Sequence, residues 1–121
     1  MEETGFVTKR VAELLRLKGF NGKTNHYYAD GDVGLLRSLS TINWNDVTGY
    51  YSAPTVQEAI DWVETKGYWI IYRPLNYDYD IDTYIYTAND DKELYALKNF
   101  VTRTKYEGLN KALKYCIDNF I

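Results

Sequence analysis

Three stretches of this chain place apolar residues on one helical face and polar residues on the other, so each needs a second surface to bury against. The middle one is SAPTVQEAIDWVETKGYW, Ser52 to Trp69. Thr55 and Glu58 there have the spacing of a capping box, in which each side chain satisfies a free backbone N–H at the helix start. Val56, Ala59, Ile60 and Val63 form the buried stripe, with Trp62 at its border. The first stretch runs from about Thr8 to Lys18. Val7, Val11, Leu14 and Leu15 share one side, and Lys9, Arg10, Glu13 and Arg16 face away. Gly19 can then take the left-handed conformation that ends a helix, with Phe20 folding back onto the last turn. The last stretch opens on Thr104 and Glu107, a second capping-box spacing, and carries Leu109, Ala112, Leu113, Cys116, Ile117 and Phe120 on one face.

Strand signals lie between the helices. The run YWIIYR, Tyr68 to Arg73, is rich in strand formers and too short for a helix, and Pro74 ends it or sets it at an edge. Ile81 to Thr87 alternates as a returning strand. In residues 21–54 the turn pairs Asn21-Gly22 and Asp30-Gly31 bracket a short strand around Asn25 to Ala29. A second strand is expected at Val33 to Leu39, a turn around Trp44, and a further short strand within Val47 to Ser52. Lys92 to Phe100 (KELYALKNF) reads as a short helical turn. At an offset of 48 residues, Val11, Ala12, Leu14 and Leu15 fall on Ala59, Ile60, Trp62 and Val63, and both helices end in Lys-Gly-aromatic. The echo suggests two helix–strand–strand units, or equally a shared way of ending a helix. The expectation is a single α+β domain over residues 1–121. It has an antiparallel sheet of about four strands with three helices, in the order αββαββα.

The stretch NYDYDIDTYIY, Asn76 to Tyr86, sets Asp78, Asp80 and Asp82 at every second position. That matches the first three ligand positions of a calcium loop, but the loop needs glycine at its sixth position and glutamate at its twelfth. Thr83 and Asn89 stand there. A strand accounts for the spacing better. The aspartates share the solvent face, while Tyr77, Tyr79 and Ile81 face inward. Tyr84 and Tyr86 continue the aspartate face. With Tyr68, Trp69 and Tyr72 of the neighbouring strand they make a candidate aromatic binding strip, unless a helix covers them as ordinary core.

Composition points the same way. Thirteen tyrosines, three tryptophans and four phenylalanines are too many for a core of 121 residues to hide. A ring with a polar tip suits a contact site. The formal net charge of -3 and pI of 5.1 argue against a duplex-DNA binder. Cys116 is the sole cysteine and lies on an apolar stripe, so it offers neither a disulfide nor a cysteine zinc site. His26 is the sole histidine, and an enzyme would have to use it with Asp30 or Asp32. None of the eight glycines forms a phosphate-cradling loop. The start of the chain is acidic and no apolar run approaches a membrane span, so a cytoplasmic protein is expected. No cofactor or metal is expected.

SAPTVQEAIDWVETKGYWI, the tyrosine-rich hairpin after it and the closing YEGLNKALKYCIDNFI together resemble a group of small uncharacterised proteins of gut Bacteroidetes and their phages. The resemblance covers most of the chain, from the helix ending Lys18-Gly19-Phe20 to the C-terminus. Its most recognisable parts, Ser52-Ala53-Pro54-Thr55 and Tyr106-Glu107, are helix-start chemistry. It implies a small soluble accessory protein of a mobile element or phage and carries no catalytic residue with it. The functional expectation is a non-enzymatic protein that binds another protein, such as a host component. A homodimer through the same aromatic surface is the competing use. The alternative is a small-molecule or nucleotide binder that stacks a ring on Tyr68, Trp69, Tyr72, Tyr84 and Tyr86.

Overall fold

The computed structural model describes residues 5–75 and 80–121. Helix α1 (Lys9–Leu17) is followed by strands β1 (Thr24–Ala29), β2 (Leu36–Ile42) and β3 (Tyr50–Ser52). Helix α2 (Val56–Glu64) is followed by β4 (Tyr68–Pro74), β5 (Ile81–Ala88) and β6 (Leu94–Thr102), and α3 (Lys105–Phe120) closes the chain. The α+β class holds. The described strands, however, form two antiparallel sheets of three, in the spatial orders β2-β1-β3 and β4-β5-β6. The element order is therefore αβββαβββα, where one sheet of about four strands in the order αββαββα is expected.

Each extra strand has a local reason for its weak signal. β3 has three residues, too few to show alternation. β6 occupies most of the KELYALKNF segment, which is strand and not a helical turn. Across its pairing with β5 the register slips: Ile85 faces Lys98 but Tyr86 faces Ala96. Leu97 is thus an extra residue on β6, a bulge, and it packs against the core. The bulge breaks the two-residue period and leaves Leu94, Leu97 and Phe100 at helical spacing. The repeat echo also stops at the helices. The central strand of the first sheet is the first after its helix, and that of the second sheet is the second.

The helix ends match their sequence signals. Thr8, Thr55 and Thr104 are the N-caps, each accepting from a backbone N–H within the first turn. Thr55 and Glu58 form both bonds of the capping box. We expect Thr55→Ala to lower the unfolding free energy by about 1 kcal/mol. A urea midpoint identical to wild type would mean that packing alone fixes this helix start. At the end of α1, Gly19 at φ 92° lets Phe20 N–H reach Leu15 O and its own N–H reach Arg16 O.

The core sits around α3, which touches β4, β5 and β6 on one side and α1 and α2 on the other. Val11, Leu15, Val56, Val63, Ile85, Leu113, Cys116 and Ile117 are nearly or fully buried there. The basic face of α1 serves partly as attachment. Arg16 donates to Tyr50 O and lies over the Tyr51 ring, and Lys9 donates to Asp32 O.

Candidate functional site

Neighbouring residues on a strand project to opposite faces, and the register of the second sheet sorts the aromatic candidates accordingly. Tyr68, Ile70 and Tyr72 of β4 share the inner face with Thr83 and Ile85 of β5, under α3. Trp69, Ile71 and Arg73 share the outer face with Asp82, Tyr84 and Tyr86, and with Ala96, Asn99 and Val101 of β6. The five expected binding residues therefore do not form one strip. Tyr68 stacks on Phe120 at 5.5 Å and donates its hydroxyl to Phe120 O. Tyr72 stands at the rim of the inner face, with Lys105 Nζ over its ring. Trp69, Tyr84 and Tyr86 are together outside. Of these rings Tyr72 is exposed, and Tyr68, Trp69, Tyr84 and Tyr86 are half-buried.

The outer face lies apart from the buried core cluster. Ile71, Val101 and Leu94 are about half exposed, at 49%, 55% and 52%. Tyr84 and Tyr86 lean together at 5.7 Å, with Trp69 paired across from Tyr86. No charged residue interrupts the end of the face formed by Trp69, Tyr86, Ala96, Ala88 and Leu94.

At the other end stands a polar network. Arg73 pairs with Asp82, which pairs with Val101. Asn99 Nδ2 donates to Asp82 Oδ1 at 2.9 Å, and Arg73 donates to the Tyr84 hydroxyl at 3.1 Å while its guanidinium stands 5.4 Å from the ring. Asp82 does lie on the outer face, but it is not left to water: its residue is only 5% exposed, covered by neighbouring side chains rather than by depth. Tyr77, Asp78 and Tyr79 lie outside the described residues, and Asp80 stands just before β5, half-buried, with its carbonyl accepting from Leu75 N–H.

Desolvation alone would raise the Asp82 carboxyl. The bond from Asn99, the neighbouring Tyr84 hydroxyl and the charge of Arg73 outweigh it and hold the group below its ordinary value. A carboxylate lowered by folding adds stability that is complete above its unfolded pKa and is lost as pH falls through its folded one. Asp82→Asn is therefore expected to flatten the loss of stability below about pH 4. Superimposable acid unfolding curves for variant and wild type would show that the network is not held in solution.

Sequence reasoning misses a second aromatic group, on the first sheet. Trp44 stacks on Tyr27 at 4.1 Å, and Tyr50 closes edge-on at 5.4 Å from Tyr27. Trp44 sits in a short 3-10 turn (Trp44–Asp46), held by bonds from Trp44 N–H to Ser52 Oγ and from Ser52 N–H to Asn45 Oδ1. Its indole N–H donates to Thr24 O. The asparagines on either side of Trp44 were the available signal. These rings satisfy one another, which makes them a brace for the loop.

His26 lies against Phe6 at 4.0 Å and directs Nδ1 to Asn25. Burial, and then the charge of Arg37, lower its pKa. Asp30 instead accepts from the Tyr51 hydroxyl at 2.7 Å, so the pairings expected of a His26 enzyme are not those formed. Burial pushes the Cys116 thiol up to about 12, which keeps it protonated and unreactive. Among the described residues, no three or more His, Cys, Asp or Glu side chains gather in a metal-binding group. Among them, too, no helix is long and apolar enough to cross a membrane. Comparison of the chain with protein-family models, curated proteins and solved structures finds no match.

Proposed function

We propose that this chain is a non-enzymatic binding protein that docks a partner protein on the outer face of β4-β5-β6, in the manner of a phage or prophage accessory factor acting on a host component. The observation that carries the reading is one sheet with two unlike apolar faces. The inner face is covered by α3 over Ile70, Thr83 and Ile85, and the outer presents Trp69, Ile71, Tyr84, Tyr86, Leu94 and Val101 away from the core. An apolar patch that does not serve folding marks an interaction surface. Tyrosine, tryptophan and arginine are the residues that most often anchor such contacts. A flat face of this kind covers a small ring on one side only, whereas ligand sites are concave, so a protein partner suits it better than a nucleotide.

The test is a paired affinity purification from cells that naturally make the chain, using wild type and the double variant Trp69→Ser, Ile71→Ser. The wild-type chain is expected to retain a discrete partner that the variant loses by about tenfold or more, with the melting temperature little changed. Equal recovery by both chains would remove the outer face as the site. A partner encoded by the same mobile element, and not by its host, would correct the second half of the proposal.

A further inference from the structure

We infer that the occupant of this outer face is a single amphipathic helix bearing an acidic residue at one end of its apolar stripe. The inference rests on the docking reading above and names the partner's chemistry. α3, with 16 residues, is about 24 Å long and meets all three strands of the sheet on its inner side. β5 has eight residues and spans about 27 Å, and three strands are about 14 Å across. One helix therefore covers one face, and the outer face has the same footprint.

The chemistry of the outer face changes along the strands. The outer rows run from Arg73, Asp82 and Val101, through Ile71, Tyr84 and Asn99, to Trp69, Tyr86 and Ala96, and end on Ala88 and Leu94. One end is ionic and the other is apolar. A second copy packed face to face can have its two-fold axis along the strands or across them, among other directions, and these two show the difficulty. With the axis along the strands, Asp82 on the central strand lies opposite its own copy, and the exposed Arg73 lies against Val101 with no acid to meet it. With the axis across the strands, the Arg73 and Asp82 row lies against Ala88 and Leu94, which desolvates the ionic network against methyl groups. Both arrangements disfavour self-association.

A partner helix meets neither obstacle. Its apolar stripe can lie over Ile71, Trp69, Tyr86 and Leu94. The Arg73 guanidinium is exposed and spends one donor on Tyr84, so its outward donors can take a carboxylate in paired geometry. Asp82 is nearly buried and already accepts from Asn99, so it does not repel at full strength. A strand added at the edge of β6 would use backbone groups and leave the apolar face uncovered.

The experiment pans a phage-displayed library of random 16-residue peptides on the whole chain, then measures the winners as synthetic peptides. Enriched sequences should carry apolar residues at i, i+3, i+4 and i+7 with Asp or Glu in an adjoining turn, and should gain helical circular dichroism on binding. Their affinity should fall by about tenfold or more on Ile71→Ser and on Arg73→Gln. Replacing the peptide's acid by Gln should remove most of the Arg73→Gln effect. Thermal melts confirm that the variants remain folded, with Val101→Ser as a second outer-face variant. Winners with alternating apolar residues, indifferent to these substitutions, would overturn the helix in favour of strand addition. Winners that need Ile71 but are not helical, or ignore Arg73, would overturn the inference and leave the docking face standing. A sedimentation dimer dissolved by Ile71→Ser would do the same in favour of a second copy. A monomer for which no winner depends on the face would overturn both.

Discussion

Gly108→Ala should destabilise the chain by about 2 kcal/mol, although alanine is the better helix former by about 1 kcal/mol. A methyl group at this position would lie 2.4 Å from Thr83 Oγ1 and 2.8 Å from Thr102 Oγ1. Gly108 lies in the first turns of α3, where the helix comes down onto the sheet. Neither threonine can retreat easily, because both are buried and branched at Cβ on neighbouring strands. Thr102 Oγ1 is also committed to Thr104 O. Thr83 Oγ1 is different: among the described residues it is a buried side-chain oxygen with no hydrogen-bond partner. Removing it leaves no donor or acceptor stranded. In a Thr83→Ala background, Gly108→Ala should therefore cost much less, with a coupling energy of about 1 kcal/mol or more. Strictly additive losses in the double-mutant cycle, read from urea midpoints, would show that the contact is not what makes glycine necessary.

Leu113→Ala should cost about 2–5 kcal/mol. Leu113 is fully buried at the middle of α3, the helix that joins the second sheet to α1 and α2. α3 packs on elements from both halves of the chain, so moving one of them does not close the void. A loss of this size is a large share of the ~5–15 kcal/mol that holds a small domain together. Chemical denaturation with two probes, tryptophan fluorescence and far-ultraviolet circular dichroism, measures it. A loss below about 1 kcal/mol would mean that the site collapses around the smaller side chain and that α3 is less central than its contacts indicate.

The helices were legible because their signals are local. Thr8, Thr55 and Thr104 mark the starts, Gly19 follows α1, and the buried stripes of α2 and α3 follow from spacing alone. β4 and β5 were legible for the same reason. β6 was not, since one extra residue at Leu97 converts its alternation into apparent helical spacing. The division into two sheets was also hidden, because strand partners are chosen by contacts distant in sequence. The candidate site was half legible. Trp69, Tyr84 and Tyr86 stand where an exposed strip requires, but Tyr68 and Tyr72 differ from Trp69 by an odd number of positions and so turn to the other face. The covering of Asp82 depends on Asn99, seventeen positions away. Nothing between the two residues announces that bond.

The two sides of β4-β5-β6 give the account its functional content. Gly108, Thr83 and Leu113 belong to the side that folding uses, and substitutions there should act on stability. Ile71, Trp69 and Tyr86 belong to the side that folding leaves open, and substitutions there should act on binding. The most direct test of that division is site-specific photo-crosslinking in cells that naturally make the chain. A photoreactive amino acid is placed at position 71 on the outer face, or at position 111 on the exposed flank of α3. A discrete crosslink to another protein is expected from position 71 and none from position 111. The same products from both positions, or none from position 71 while the chain is folded, would contradict that division.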